Sequence, residues 1–227
     1  MLSILFPSTC HVCGCVLRKG VRHLCPHCAA TLPFTGQCGV AMNPTAQRFL
    51  AVSCVDHAAG MLYYRPQSSS AQLLEAIKYG GYSRLAVWLG RMMGRVAADA
   101  GMLDSIDCVV PVPLHFMRRL RRGYNQSLLL ADGLSEVTGI PVEDVMACRR
   151  HRTQTALTSS LRRANVEGTF RLKKHIASTS PQHNPPRVLL VDDVCTTGAT
   201  LSAVAEALER VYPGMRMSIL TLATTDR

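Results

Sequence analysis

Apolar positions recur along this chain with two different periods, and each change of period marks an element. The clearest unit begins at Val188-Leu-Leu-Val191, a fully apolar run. It leads into Asp192-Asp193 and then Val194-Cys-Thr-Thr-Gly-Ala-Thr200, after which Leu201, Val204, Ala205 and Leu208 recur at helical spacing. This predicts a buried strand, a tight turn and a helix start. An unbroken apolar strand suits the middle of a parallel sheet covered on both faces. Upstream, Tyr63-Tyr64 points to a strand, and Ala71, Leu73, Leu74 and Ile77 form a helix face ending near Lys78-Tyr-Gly-Gly81. A second helix runs from about Ser83 through Trp88, Met92 and Val96 to Gly101. Cys108-Val-Val-Pro-Val-Pro113 predicts a buried strand entering a proline-fixed loop. Asn125 is a good N-cap for a helix with Leu128, Leu129, Ala131 and Leu134 on one face, and Gly139 suits its C′ stop. Val142 to Ala147 and Met217 to Leu222 predict two further strands. The expected fold is α/β, with a mostly parallel sheet flanked by helices.

The 227 residues suffice for one such domain plus a small appendage. With 48% hydrophobic residues, the chain can build a real core. No apolar run reaches about 18 residues, so no membrane span is expected. Met1-Leu-Ser-Ile-Leu-Phe-Pro7 is apolar but short and lacks the basic start of a signal peptide. The expected compartment is the cytoplasm. The net charge of +10 is unevenly placed: residues 115–175 hold 12 Lys/Arg against 5 Asp/Glu. Such a local excess suits polyanions, whether pyrophosphate or nucleic acid; a solvated basic face is the plainer reading.

The first 58 residues read as a separate cysteine-rich segment and residues 59–227 as the main domain. Cys10-His-Val-Cys13 and Cys25-Pro-His-Cys28 are two C-x2-C pairs, eleven residues apart. Four such thiolates suit tetrahedral structural zinc, and without a secretion signal metal is favoured over two disulfides. Cys15, His11, His23 and His27 lie close enough in sequence to replace one ligand. Cys38 and Cys54-Val-Asp-His57 supply too few ligands for a full second site. This segment has few large apolar residues and needs its metal to fold.

The turn after Asp193 offers chemistry. Cys195, Thr196, Thr197, Gly198, Ala199 and Thr200 place hydroxyls and backbone N–H groups at a helix N-terminus, which suits a phosphate. Asp192 and Asp193 would repel that phosphate and are placed instead to accept from neutral hydroxyls. A phosphate beside a diol describes a ribose 5-phosphate. The chain contains no G-x-x-x-x-G-K-[ST] and no strand-borne G-x-G-x-x-G, which sets aside the P-loop and Rossmann sites. A second anion site is indicated at Pro111-Val112, Arg118, Arg122, Asn125 and Gln126, because arginine forks grip phosphate oxygens. Lys78, before a glycine turn, could reach a phosphate or simply cap its helix.

The stretch Val188–Thr200 resembles the thirteen-residue signature of type I phosphoribosyltransferases, which bind phosphoribosyl pyrophosphate. Two adjacent acids, T-T-G and a closing Thr match. Pro111-Val-Pro-Leu114 followed by R-x-x-R-G-Y-N-Q-S ending at Ser127 is similar to the ComF/GntX family. These are bacterial phosphoribosyltransferase-like proteins with an N-terminal zinc-binding segment, some linked to DNA uptake in competence. Spaced Arg, Thr, Gln, Leu, Arg, Asn and Gly-x-Phe positions over 149–170, including Arg149 and Arg162, also resemble the family; this polar, basic stretch suits a closing lid. The departure lies at Cys38 and Cys54, where relatives carry a fuller second cysteine set. The resemblance implies transfer of phosphoribosyl to an unnamed acceptor, with Mg2+ and its waters bridging Asp192 and Asp193 to the ribose and pyrophosphate. A second reading is an accessory protein that binds single-stranded DNA or competence proteins. Aromatic residues are only 5% of the chain and scattered, which weighs against a base-stacking platform. A third is a regulator that binds the sugar phosphate without catalysis. Neither acceptor nor oligomeric state is legible in the sequence.

Overall fold

A computed structural model describes residues 8–148, 169–176 and 185–226. The lid readings at Arg149 and Arg162 lie outside the described residues. Four parallel strands form the central sheet, in the order β1 (Val55–Tyr64), β6 (Arg216–Thr225), β5 (Arg187–Cys195) and β2 (Cys108–Pro111). Val188, Leu189, Leu190 and Val191 of β5 are fully buried. Alternation along the strand sends them to opposite sides. Leu189 and Val191 pack with helices α2 (Ser69–Tyr79), α3 (Ser83–Asp99) and α5 (Gln126–Thr138); Val188 and Leu190 pack with α6 (Ala199–Glu209). The apolar run is thus explained by helices on both faces, as expected.

Local signals placed the helices well. Asn125 caps α5, its Oδ1 accepting from the Ser127 N–H at 3.2 Å, and Gly139 ends it with φ 74°. Helices α3 and α5 touch backbone to backbone. A Cβ at Gly90 would collide with the Leu130 carbonyl, and one at Gly133 with that of Val87. This close approach tightens the face of the sheet on which the start of α5 meets β5.

Two expectations need correction, and one stretch gains an element. The strand expected over Val142–Ala147 is displaced: Val142 makes only an isolated bridge to Val109, and β3 (Met146–Cys148) pairs antiparallel with β4 (Phe170–Leu172). A short partner from far along the chain decides where pairing occurs. The arginine stretch, given no element in the sequence, forms a helix, α4 (Phe116–Arg122), started by His115 and ended by Gly123 at φ 80°. Finally, a division at residue 58 would cut β1. Leu24, Cys28 and Leu32 also share a core with Leu62, Leu73 and Leu89, so the cysteine segment is built onto the sheet domain. It includes α1 (Pro26–Ala30), which Pro26 opens and the Cys25 side chain caps.

Candidate functional site

The parallel sheet brings its strand ends together at one edge, and the acidic pair sits there. Pro111, at the end of β2, lies abreast of Val191, and the Val112 N–H donates to the Val191 carbonyl at 2.9 Å. Asn125 Nδ2 donates to the Val112 carbonyl at 3.0 Å, tying the proline loop to the start of α5. One turn of that helix then serves Asp192: Ser127 Oγ donates to its Oδ1 at 2.7 Å, and the Asp193 N–H donates to the same oxygen at 2.8 Å. The structure therefore joins two stretches, 111–127 and 188–200, that lie far apart in sequence.

Asp193 has a different partner. Its Oδ1 lies 2.8 Å from Lys78 Nζ, with side chains only 11% and 18% exposed. Lys78 therefore neither caps its helix in water nor stands free for a phosphate. It neutralises one aspartate of the pair from the end of α2. Asp192 has no such direct charge partner among the described residues. Burial first, and then the charge of Asp193, push its carboxyl up to about 7, against the hydrogen bonds from Ser127 and the Asp193 N–H and the field of Lys78. A carboxyl raised above its ordinary value near 4 holds a proton in the folded chain that the unfolded chain releases. Stability from this group is therefore present at low pH and is lost as pH rises from about 4 to about 7. Asp192→Asn removes that loss. In thermal melts without divalent cations, the variant should gain stability relative to the parent steadily across this window; a constant difference would refute the assignment.

Past the acids, the turn opens to solvent. Thr196, Thr197, Ala199 and Thr200 are exposed, while Gly198 is buried at φ 82° and begins α6. The first turn of any helix leaves N–H groups without intrahelical acceptors. Only Ala199 has a side-chain cap among the described residues, a long 3.4 Å contact from its N–H to Thr197 Oγ1. Cys195 is 1% exposed, and burial pushes its thiol up. That suits packing and not a reactive role.

A residue missed in the sequence underlies this turn. Arg48, on a 3-10 turn at Ala46–Phe49, reaches across the fold. Its Nη1 donates to the Cys195 carbonyl at 3.1 Å and Thr224 Oγ1 at 3.0 Å; its Nη2 donates to the Thr225 carbonyl at 2.7 Å. Phe49 meets Gly198 closely enough that a Cβ there would lie 3.1 Å from its ring. No local pattern marks Arg48, because its acceptors lie roughly 150 residues away in sequence.

The residues expected to form a second anion site are less closely assembled. Helix α4 exposes Arg118, Arg119 and Arg121. Arg122 Nη1 donates to Gln126 Oε1 at 3.0 Å, and its guanidinium lies 5.1 Å from the centre of the Tyr79 ring. Spacing of four places Arg118 and Arg122 on one face of α4. Gln126 is buried, and its Nε2 has no hydrogen-bond partner among the described residues. A cavity of about 360 Å3, lined by Pro113, Arg119, Tyr124 and Asn125, adjoins this loop.

The thiols of Cys10, Cys13, Cys25 and Cys28 lie within 4.8 Å of one another. Cys13 and Cys25 Sγ are 3.7 Å apart. A zinc tetrahedron with bonds near 2.3 Å needs edges of about 3.8 Å, so the four fit structural zinc. Neither Cys38 nor Cys54 joins a cluster of potential ligands among the described residues. Cys54 is buried and packs beside Phe49 and Val52.

The phosphoribosyl transferase domain family matches residues 124–226. Competence protein F of Haemophilus influenzae is 30% identical over 206 residues, covering 87% of this chain and 83% of that one. The chain belongs to the ComF/GntX family. DNA utilization protein YhgH of Salmonella typhimurium is 31% identical over 211 residues, or 88% of this chain and 84% of its own. Competence protein ComFC of Streptococcus pneumoniae is 33% identical over 100 residues, 44% of this chain and 40% of its own. The ComF/GntX assignment establishes the phosphoribosyltransferase-like fold, and the cysteine cluster agrees with its N-terminal segment. Among the described residues, no helix is long and apolar enough to cross a membrane.

Proposed function

We propose that this ComF/GntX protein binds phosphoribosyl pyrophosphate and transfers its phosphoribosyl group, releasing pyrophosphate. The observation that carries this reading is the juxtaposition of Asp192 and Asp193 with an open Thr196–Thr200 turn at the start of α6. Such a helix start holds a phosphate through its free N–H groups. Asp192, oriented by Ser127, accepts from the ribose hydroxyls, and Arg48 steadies the floor of the turn. Mg2+ would be held by Asp192 and Asp193 through water and would neutralise charge on the departing pyrophosphate. Lys78, which pairs with Asp193 in this structure, would meet the pyrophosphate alongside Arg118 and Arg122 if a bound cation took over the carboxylate. Deprotonated Asp192 is the form that accepts, so affinity should rise as pH passes through about 7. Calorimetry with phosphoribosyl pyrophosphate and Mg2+, followed by pyrophosphate release over a panel of nucleobases, tests the reading. Binding is expected, and its absence at millimolar ligand would overturn it. Release with one base names the acceptor, whereas binding without release for any acceptor gives the regulator.

A second reading is a DNA-handling role, favoured by the names of the relatives, which are competence and DNA utilization proteins. The basic excess and the cysteine segment are compatible with it.

A further inference from the structure

We infer that a second ligand site lies between the cysteine segment and α3, and that it takes a nucleotide unit, a planar base with its phosphate. The cleft there measures about 990 Å3, and none of the residues from Asp192 to Thr200 lines it. It is therefore separate from the ribose-phosphate site, and it supplies a place for the DNA-handling reading. Four rings meet in its wall. His11 and His23 come from the cysteine segment, Tyr82 caps α3, and Trp88 follows on its second turn.

These rings form a continuous set. His11 stacks on His23 with centroids 5.6 Å apart and planes at 19°. His11 meets the Tyr82 ring edge-on at 4.5 Å, and His23 lies 5.6 Å from Trp88. The Tyr82 residue remains 49% exposed at the cleft. His23 is held at φ 67°, a conformation uncommon outside glycine, and its carbonyl accepts from the His11 N–H at 2.9 Å. Arg22 and Arg84 are exposed on the same lining, and neither has a carboxylate partner among the described residues. Arg91, also at the cleft, differs in being paired with Glu136 at 2.5 Å.

Exposed ring faces stack bases, and unpaired guanidinium forks grip phosphate oxygens. The volume is within the range of ligand pockets, and it admits one or two nucleotides.

Trp88 is the only tryptophan in the chain, so its fluorescence reports on this cleft alone. The zinc-loaded full chain should be titrated with short oligothymidylate and, separately, with thymidine monophosphate, at two salt concentrations. Saturable quenching is expected. Tyr82→Ala should weaken it about fivefold or more while keeping its salt dependence. Arg22→Ala with Arg84→Ala should weaken it and flatten the log–log salt slope by about 1.4. Tighter quenching by the oligonucleotide assigns the site to single strands, whereas equal affinity assigns it to free nucleotides. Absence of quenching by both ligands overturns the inference. So does binding that both variants leave unchanged while they retain zinc and the parent melting temperature. Loss of phosphoribosyl pyrophosphate binding leaves these titrations unaffected, so failure here is distinguishable from failure at the acidic pair.

Discussion

Asp192→Asn combined with Asp193→Asn is expected to abolish detectable binding of phosphoribosyl pyrophosphate with Mg2+ while leaving the fold and the cysteine cluster intact. Two amides keep the shape but lose both anionic acceptors for ribose hydroxyls and metal-bound waters. The single variants should move stability in opposite directions. Asp192→Asn removes a carboxyl that burial and its neighbour disfavour, and Ser127 can still donate to the amide oxygen. Melting temperature should rise at neutral pH. Asp193→Asn leaves Lys78 Nζ shielded without its counter-charge, which should cost about 1–3 kcal/mol. In the double variant these effects oppose, so stability reports little and calorimetry reports the site. Undiminished affinity in the double variant would remove the aspartates from the binding site.

Stripping metal from the cysteine cluster should unfold more than a tail. The four thiols cluster without disulfides, so without metal the negative thiolates lose their common partner. Cys28, Leu24 and Leu32 are buried in the same core as Leu62, Leu73, Leu85 and Leu89. Loosening the segment therefore exposes the helices that cover one face of the sheet. Structural zinc in small modules stabilises folding by about 10 kcal/mol or more, part of which is already supplied here by packing. A loss of about 5 kcal/mol would lower the melting temperature by roughly 10 °C or more at this chain length. The measurement is a melt before and after chelation, with Cys25→Ser as the matched variant and zinc content read directly. An unchanged melt after complete metal loss would show that the cluster does not hold the segment.

Much of this arrangement was legible beforehand because its signals are local. The apolar run Val188–Val191 specified a strand buried on both faces, since only a covered parallel strand needs four successive apolar residues. Asn125 and Gly139 marked both ends of α5 through capping chemistry confined to neighbouring residues. Two C-x2-C pairs specified a four-thiol cluster, since the spacing of each pair lets one turn present two thiols to one ion. The stretch 188–200 placed the acids and the threonine-rich turn side by side.

What remained hidden depends on groups far apart in sequence. Lys78 read as a helix-end cation or a phosphate ligand; its pairing with Asp193 requires α2 to lie over the edge of β5. Arg48 carried no signal, because its acceptors are supplied only when β5 and β6 close against the 3-10 turn. The boundary at residue 58 looked natural from composition, yet β1 begins at Val55 and pairs with the last strand of the chain. Aromatic residues looked scattered, yet Tyr82 and Trp88 are gathered with His11 and His23 by docking of the cysteine segment on α3. By itself, the sequence determined periodicity, caps, cysteine spacing and the threonine-rich turn, all of which act over a few residues. Only the tertiary structure decided which charges are neutralised, which cation supports the turn and where a second cleft opens, because those depend on contacts that chain closure creates.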